Sequence, residues 1–391
     1  MWWMVRPMSK PTDARRADKK ENVDTEKNKV VLAPQQAGGW RMPAEWAPHA
    51  ATWIAFPHKR GDWPGKADAV QWVFAEMARQ LTRGERLRIL VRDAQEAARA
   101  KYLFGCVGCD LNQVDCIKHD TDRSWTRDYL PTFVLRHPRS KRRSARDVGA
   151  VKWRFNGWNR YPDHKLDDAA GTYVAREFAD QAFSPEVNVR GRLQRVTLEG
   201  GSIDVDGEGT LLTTEECLLV GRRARHKAMG REVSEQILKE HLGVTQVIWL
   251  PDGIAGDDTS GHIDDFARFV KPGVVVLCQE SRRSYPNHRK LAIAKERLAA
   301  ARDARDRRLQ IIALPMPEPV MHGRVRLPAS YANFYIATEC VLVPTFNDAC
   351  DKRALGILSE LFPDRRVVGI HASELVLGLG TLHCSTQQEP L

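Results

Sequence analysis

From Gly39 onward the chain keeps one texture. A short β-branched or apolar run is followed by a Gly, Pro or Asp turn and then by a stretch of helical character. Short strands alternating with helices restrict such a chain to an α/β fold. LRILVR (87–92), PTFVLR (131–136), AVKWRF (150–155), GTLLTT (209–214), QVIWLP (246–251), GVVVLC (273–278), LQIIALP (309–315), CVLVPTF (340–346) and RVVGIH (366–371) read as strands. Residues 69–81, 93–102, 226–242, 289–308 and 351–361 read as helices, with ERLAAARDARDRRLQ as a charged surface helix. TFVL and AVKWRF read as a hairpin around a long basic tip. SIDVDGEGTLLTT reads as a second hairpin around Asp206-Gly207 and Gly209. No Gly-rich phosphate loop follows the first strand, so a Rossmann domain is unsupported.

The 391 residues, 42% of them apolar, suffice for a large core in one big domain or two ordinary ones. No apolar run is long enough to cross a membrane. Residues 1–38 are polar and lack apolar periodicity, so they are expected to be poorly ordered. Their start, MWWMVRPMSKP, lacks a signal-peptide pattern and reads as an extension. The eight scattered cysteines suit a reducing compartment, and the expected location is cytoplasmic. The net charge of +10 is concentrated in two runs, Arg136–Arg146 and Arg222–Lys227. Such runs can bind phosphates, but solvated loop tips are the commoner outcome, so nucleic acid is not the expected partner. A cationic substrate is still admissible, because screening over about 8 Å lets local carboxylates govern a mouth.

The chemistry gathers around Cys384. It follows GLGTLH and is flanked by His383, Ser385 and Thr386, polar neighbours that are unusual for a core strand. A lone cysteine is more often a buried structural one. Here three other segments supply partners for a thiolate: SWTRDYLP offers Asp128, LEGGSI offers Glu199, and SGHIDD offers His262 and Asp264. On an extended segment the i and i+2 side chains of H-x-D share a face. Glycines after Glu199 permit close approach of a ligand. One thiol, one imidazole and three carboxylates suit attack on a carbon that bears several nitrogens, such as a guanidinium. Metal binding is the rival use of His262, and it lacks further ligands at zinc spacing. Cys106 and Cys109 form a lone C-x-x-C, read as unliganded thiols. The candidates fall one per ~50–70 residues, a spacing that suits a modular, roughly circular fold with its site on the axis.

These segments carry a resemblance. RMPAEWAPHAATWIAFP, SWTRDYLPTFV, WRFNGW, LEGGSIDVDGEGTLLTTEECLL, SGHIDDFARFV, LPASYANFYIA, VPTFNDACDKRAL and GLGTLHCSTQQEP run from residue 41 to 390. Together they are similar to the agmatine deiminase family, in the group that includes bacterial peptidylarginine deiminases. The resemblance implies a pentein fold, five ββαβ-type modules around a pseudo-fivefold axis, with residues 39–391 as one catalytic domain. It implies hydrolysis of a guanidinium to a ureido group and ammonia without metal or organic cofactor. It makes Cys384 the nucleophile, His262 the general acid/base, and Asp128 and Asp264 the guanidinium carboxylates, with Glu199 assisting. Trp125, Trp158, Asp258 and Asn333 complete the expected substrate-binding set. The expected partner is a small guanidine, agmatine first, and a homodimer is left open. Three departures bear on the tail of that substrate. Gly38 stands where the family often has an aspartate, Asp258 where it has a longer glutamate, and Asn159-Arg160 where it has Gly-Gly. A peptidylarginine deiminase, an amidinotransferase and a silent RNA-binding pentein are the alternatives.

Overall fold

The structure, a computed structural model, describes residues 39–136 and 147–391. The expected disorder of residues 1–38 and the basic tip after Arg136 lie outside the described residues.

Five sheets share one pairing pattern: an antiparallel pair, a helix, and a strand parallel to the second of the pair. Thr132–Arg136 pairs with Asp147–Val151, and Lys165–Glu177 leads to Gln181–Phe183. Asp204–Val205 pairs with Thr210–Thr214, and Gly230–Leu242 leads to Gln246–Leu250. Ala267–Lys271 pairs with Val274–Gln279, and Pro286–Ala300 leads to Gln310–Pro315. Tyr335–Ile336 pairs with Cys340–Thr345, and Asp351–Leu361 leads to Arg366–His371. The fifth sheet joins distant segments: Gln387–Pro390 pairs with His49–Ala55, and Ala67–Leu81 leads to Arg86–Val91. Ala94–Cys106 then adds Val114–Lys118 in parallel. This is an α/β architecture.

Apolar spacing explains the helices. In Ala67–Leu81 the residues Val70, Phe74, Met77, Ala78 and Leu81 fall at helical intervals and are buried. Burying a side chain such as Phe74 is worth roughly 1.5–3 kcal/mol. Gly243, at φ 68°, ends Gly230–Leu242 in the left-handed conformation that glycine adopts without a Cβ penalty.

Three boundaries differ from the sequence expectation for identifiable reasons. The helix expected over 289–308 ends at Ala300. The Asp303 carboxylate accepts from the backbone N–H of Arg305 (2.9 Å) and Arg307 (2.8 Å) and from the Arg307 side chain. That local turn competes with helix and uses the same i,i+4 charges that suggested one. The helix expected from residue 226 begins at Gly230, because His226 is buried with its ring on the Thr197 carbonyl and the Ser234 hydroxyl. The strand expected over 150–155 occupies Asp147–Val151, since its partner Thr132–Arg136 sets the register. The Asp206 turn stands where expected, with Asp206 accepting from the N–H of Glu208 and Thr210.

The repeat explains the spacing of the candidate residues. Asp128, Glu199, His262, Asn333 and Cys384 each lie a few residues before the first strand of one of the five sheets.

Candidate active site

The helical turn Thr126–Tyr129 carries Asp128, and Pro131 follows it, where the missing N–H no longer matters. Glu199 is extended and opens the short turn Gly200–Ser202. His262 is also extended, but Asp264 lies in the 3-10 turn Ile263–Asp265. The two side chains therefore converge through a turn and not through the strand pleat expected from H-x-D. Cys384 lies in a turn whose amides are collected by Asn333. Its Oδ1 accepts from the N–H of His383 (3.2 Å) and Cys384 (3.4 Å) and from the Thr381 hydroxyl (2.7 Å).

These segments bring the candidates together. His262 Nδ1 stands 3.8 Å from Asp128 Oδ1 and 3.9 Å from Asp264 Oδ1, and its Nε2 stands 3.7 Å from Glu199 Oε2. The Cys384 Sγ lies 3.2 Å from Asn333 Nδ2 and 3.8 Å from Asp264 Oδ2. All five ionisable groups are buried. Both His262 ring nitrogens and Asp264 Oδ1 lack a hydrogen bond within the chain, so their bonding capacity is open to a ligand. Gly201 forms the floor between them. A Cβ there would fall 2.6 Å from His262 Nδ1, 2.9 Å from Asp128 Oδ1 and 3.0 Å from Asp264 Oδ2.

The walls are aromatic. Trp158 Nε1 donates to Asp128 Oδ2 at 2.8 Å, and the Gly201 N–H donates to its other oxygen at 3.0 Å. Trp158 reaches this place from a turn in which Gly157, Trp158 and Asn159 all have positive φ (68°, 58°, 54°). Two consecutive non-glycine residues in that region are costly and persist only when their surroundings hold them. Trp125 packs on Trp63 with ring centroids 5.5 Å apart. A Cβ at Gly378 or Gly380 would strike the Trp125 ring. Arg123, Trp125, Asp128, Trp158, Asp258 and Cys384 line one pocket, which leaves about 30 Å³ for the centre of a water-sized sphere. That is room for about two waters, so the pocket is a slot.

Sequence reasoning missed the groups behind the candidates. His383 bridges Asp264 Oδ2 (2.6 Å) and Glu45 Oε2 (2.7 Å). Glu45 also meets Arg268 (3.0 Å), Arg127 (3.3 Å) and the Ile336 N–H (2.8 Å). Arg225 donates to both oxygens of Glu199, at 3.0 and 3.1 Å. The second basic run is therefore not simply a solvated tip, because Arg225 is buried in an ion pair. Position 383 beside the thiol was the one visible signal; nothing marked Glu45, Arg225 or Arg268.

Electrostatics follows from burial and neighbours. Burial, then the carboxylates of Asp264, Asp265 and Asp128, hold the Cys384 thiol well above its usual range. Burial opposes charge on His262, yet Asp128, with Cys217 and Glu199, holds the imidazole well above its usual value. Asp128 is pushed up to about 6 by burial, partly offset by His262 and reinforced by Asp264 and Glu199. Glu199 is brought down to about 2: burial works against this, and Arg225 with His262 outweighs it. Burial likewise opposes ionising Asp264, and His383 outweighs it. The site thus pairs a neutral thiol with an imidazolium among carboxylates.

Two triads have ligand atoms close enough for an ion: Glu199, Cys217 and His262, and Asp264, Asp265 and Cys384. The first lies against the Arg225 guanidinium, whose charge opposes a second cation there. In the second, burial, then the neighbouring Asp264, raises Asp265 well above its usual value. The eight cysteines are all free.

Residues 41–390 match the model of the Porphyromonas-type peptidyl-arginine deiminase family. The chain belongs to this family. It is 36% identical over 384 residues to an agmatine deiminase of Ectopseudomonas mendocina, covering 92% of this chain and 98% of that one. It is 35% identical to a Pseudomonas aeruginosa agmatine deiminase over 378 residues, covering 91% and 96%. Among solved structures, the agmatine deiminase of Enterococcus faecalis superposes with a TM-score of 0.81 at 29% identity, covering 93% of this chain and 98% of that one.

Proposed function

We propose that this protein hydrolyses the guanidinium of agmatine to N-carbamoylputrescine and ammonia. The observation that carries the reading is the convergence of Cys384, His262, Asp128, Asp264 and Glu199 over the Gly201 floor. The planar cation enters the slot, and Asp128 and Asp264 accept its N–H groups through paired hydrogen bonds. Its charge offsets the carboxylates that keep the thiol protonated, so the thiol gives up its proton to solvent as the substrate arrives. The thiolate attacks the central carbon and forms a C–S bond. The His262 imidazolium gives its proton to one nitrogen, which leaves as ammonia. Water, deprotonated by the neutral imidazole, adds to the S-linked amidino carbon. The C–S bond breaks as the added hydroxyl becomes the carbonyl, and its proton passes to the sulfur, leaving a ureido product and the thiol. Glu199, fixed by Arg225, holds His262 in its charged form.

The rest of the reading belongs to the same proposal. The five repeated sheets close around a pseudo-fivefold axis as a pentein propeller, and residues 39–391 work as one catalytic domain. No cofactor takes part, a homodimer is the assembly considered, and the location is the cytoplasm. The slot favours a slim free guanidine over an arginine held in a polypeptide.

The test is a panel of agmatine, arginine, peptidyl arginine and methylated arginines, scored for ammonia and ureido product. Agmatine should be turned over fastest, with steady ammonia release and no added amine. Turnover only in the presence of an acceptor amine points to amidino transfer, and product only on peptides points to a peptidylarginine deiminase. A Cys384→Ser variant with normal turnover removes the nucleophile assignment.

A further inference from the structure

At the outer end of the slot, Asp258 lines the same pocket as Asp128 and Cys384. Both of its oxygens are engaged from within the chain. Arg160 Nη1 pairs with Oδ1, and the Tyr161 hydroxyl donates to Oδ2. Arg160 also stands 5.3 Å from the Tyr161 ring centroid, with Arg123 at 4.3 Å from the same ring. The turn that places Arg160 is braced. Its N–H donates to the Gly157 carbonyl at 2.9 Å. Asn159 is tied to Asn156 by two hydrogen bonds and donates to the Arg223 carbonyl. The same turn delivers Trp158 to Asp128, so the arginine on Asp258 and the indole on Asp128 are set by one stretch of backbone. Asp258 is largely buried, with 11% of its side chain exposed, whereas Arg160 is 37% exposed. The carboxylate is fixed and the cation has room to turn outward.

Arg123 is committed elsewhere, to Asp62 at 2.5 Å and Asp163 at 3.1 Å. Of the two carboxylates that line the slot, Asp128 lies against His262 with 3% of its side chain exposed, and Asp258 is the more exposed at 11%, so we take Asp258 for the tail. A substrate whose tail carries an ammonium must take Asp258 away from a resident guanidinium. A tail that ends in a carboxylate meets that guanidinium as a partner instead.

We propose that Arg160 is a specificity-determining residue: by occupying Asp258 it weakens the hold on guanidines ending in an ammonium and strengthens the hold on guanidines ending in a carboxylate. This rests on the deiminase reading above and narrows it. Agmatine is turned over against competition from Arg160 at the mouth, and ω-guanidino acids of similar length are substrates of the same site. The role lies in binding the tail, so its signature falls mainly on KM.

The experiment measures kcat and KM for three probes that differ at the far end: agmatine, 4-guanidinobutanoate and butylguanidine. They are compared in the wild type, Arg160→Ala and Arg160→Lys. Pairs of this partly exposed kind support changes of up to about 5-fold. Arg160→Ala should lower KM for agmatine by about that factor and raise it for 4-guanidinobutanoate, with butylguanidine moving less than either. Arg160→Lys should return the wild-type order, and added salt should shrink the differences. A ratio of kcat/KM between agmatine and 4-guanidinobutanoate that stays within about twofold in both variants, with turnover intact, overturns the inference alone. Wild-type protein that deiminates none of the three probes overturns the deiminase reading and the inference with it.

Discussion

The two faces of Asp264 are built differently. Behind it, His383, Glu45, Arg268 and Arg127 form a closed network with contacts of 2.6–3.3 Å. In front of it, His262 stands 3.9 Å and Cys384 3.8 Å from Asp264, His262 stands 3.8 Å from Asp128, and neither ring nitrogen of His262 has a hydrogen bond among the described residues. The imidazoles of His262 and His383 are both buried, yet only one is saturated. The rear network fixes charges that a fold does not otherwise bury cheaply. The front leaves the His262 ring and Asp264 Oδ1 without hydrogen bonds among the described residues, so a cation among these carboxylates gains more there than water does. Rigidity and reactivity are thus separated by the width of one carboxylate.

This contrast can be broken from either side. His262→Gln should cost the most: a fall of about 10²–10⁴ in kcat, beyond what the lost imidazolium facing Asp128 and Glu199 costs in stability. Glu45→Gln attacks the rear and should show the opposite pattern. It leaves Arg268, Arg127 and His383 without their shared carboxylate, for a loss of about 3–5 kcal/mol in urea unfolding. Gly201→Ala tests the floor. Its methyl would intrude on His262, Asp128 and Asp264, and overpacking of this sort costs about 1–3 kcal/mol. The loss in kcat/KM should exceed that stability loss when both are expressed as free energies.

The smallest effect is in pH. Asp128 titrates near 6, and its protonated form cannot hold a guanidinium. kcat/KM should therefore fall as pH drops through about 6. Trp158 donates to the ionised form, so Trp158→Phe should move that acid limb upward. An unmoved limb would assign it to another group.

The sequence made the α/β alternation legible because most strands are continuous β-branched runs, as in Arg366–His371 and Gln246–Leu250. It hid Lys165–Glu177, whose buried face consists largely of Ala170, Gly171, Val174 and Ala175 and so carries a weak apolar signal. It hid the end of Pro286–Ala300, because Asp303 and Arg307 have helical spacing but close a turn. At the site, Cys384, His262, Asp264, Asp128 and Glu199 stood out through their polar, glycine-rich surroundings. Glu45, Arg225 and Arg268 did not, because a carboxylate or guanidinium inside the protein looks in sequence like one on its surface. Only the fold, which brings Glu45 against position 383, distinguishes them.

The strand Gln387–Pro390, which follows Cys384 directly, is hydrogen-bonded to His49–Ala55. During synthesis the early strand must wait, with that edge open, until the four sheets between the two segments have been made. Only then do the sheet close and the sulfur arrive, in the same event. A chain interrupted before residue 384 therefore holds the candidate imidazole and carboxylates without the candidate thiol, and the site assembles only when this late strand pairs with the early one.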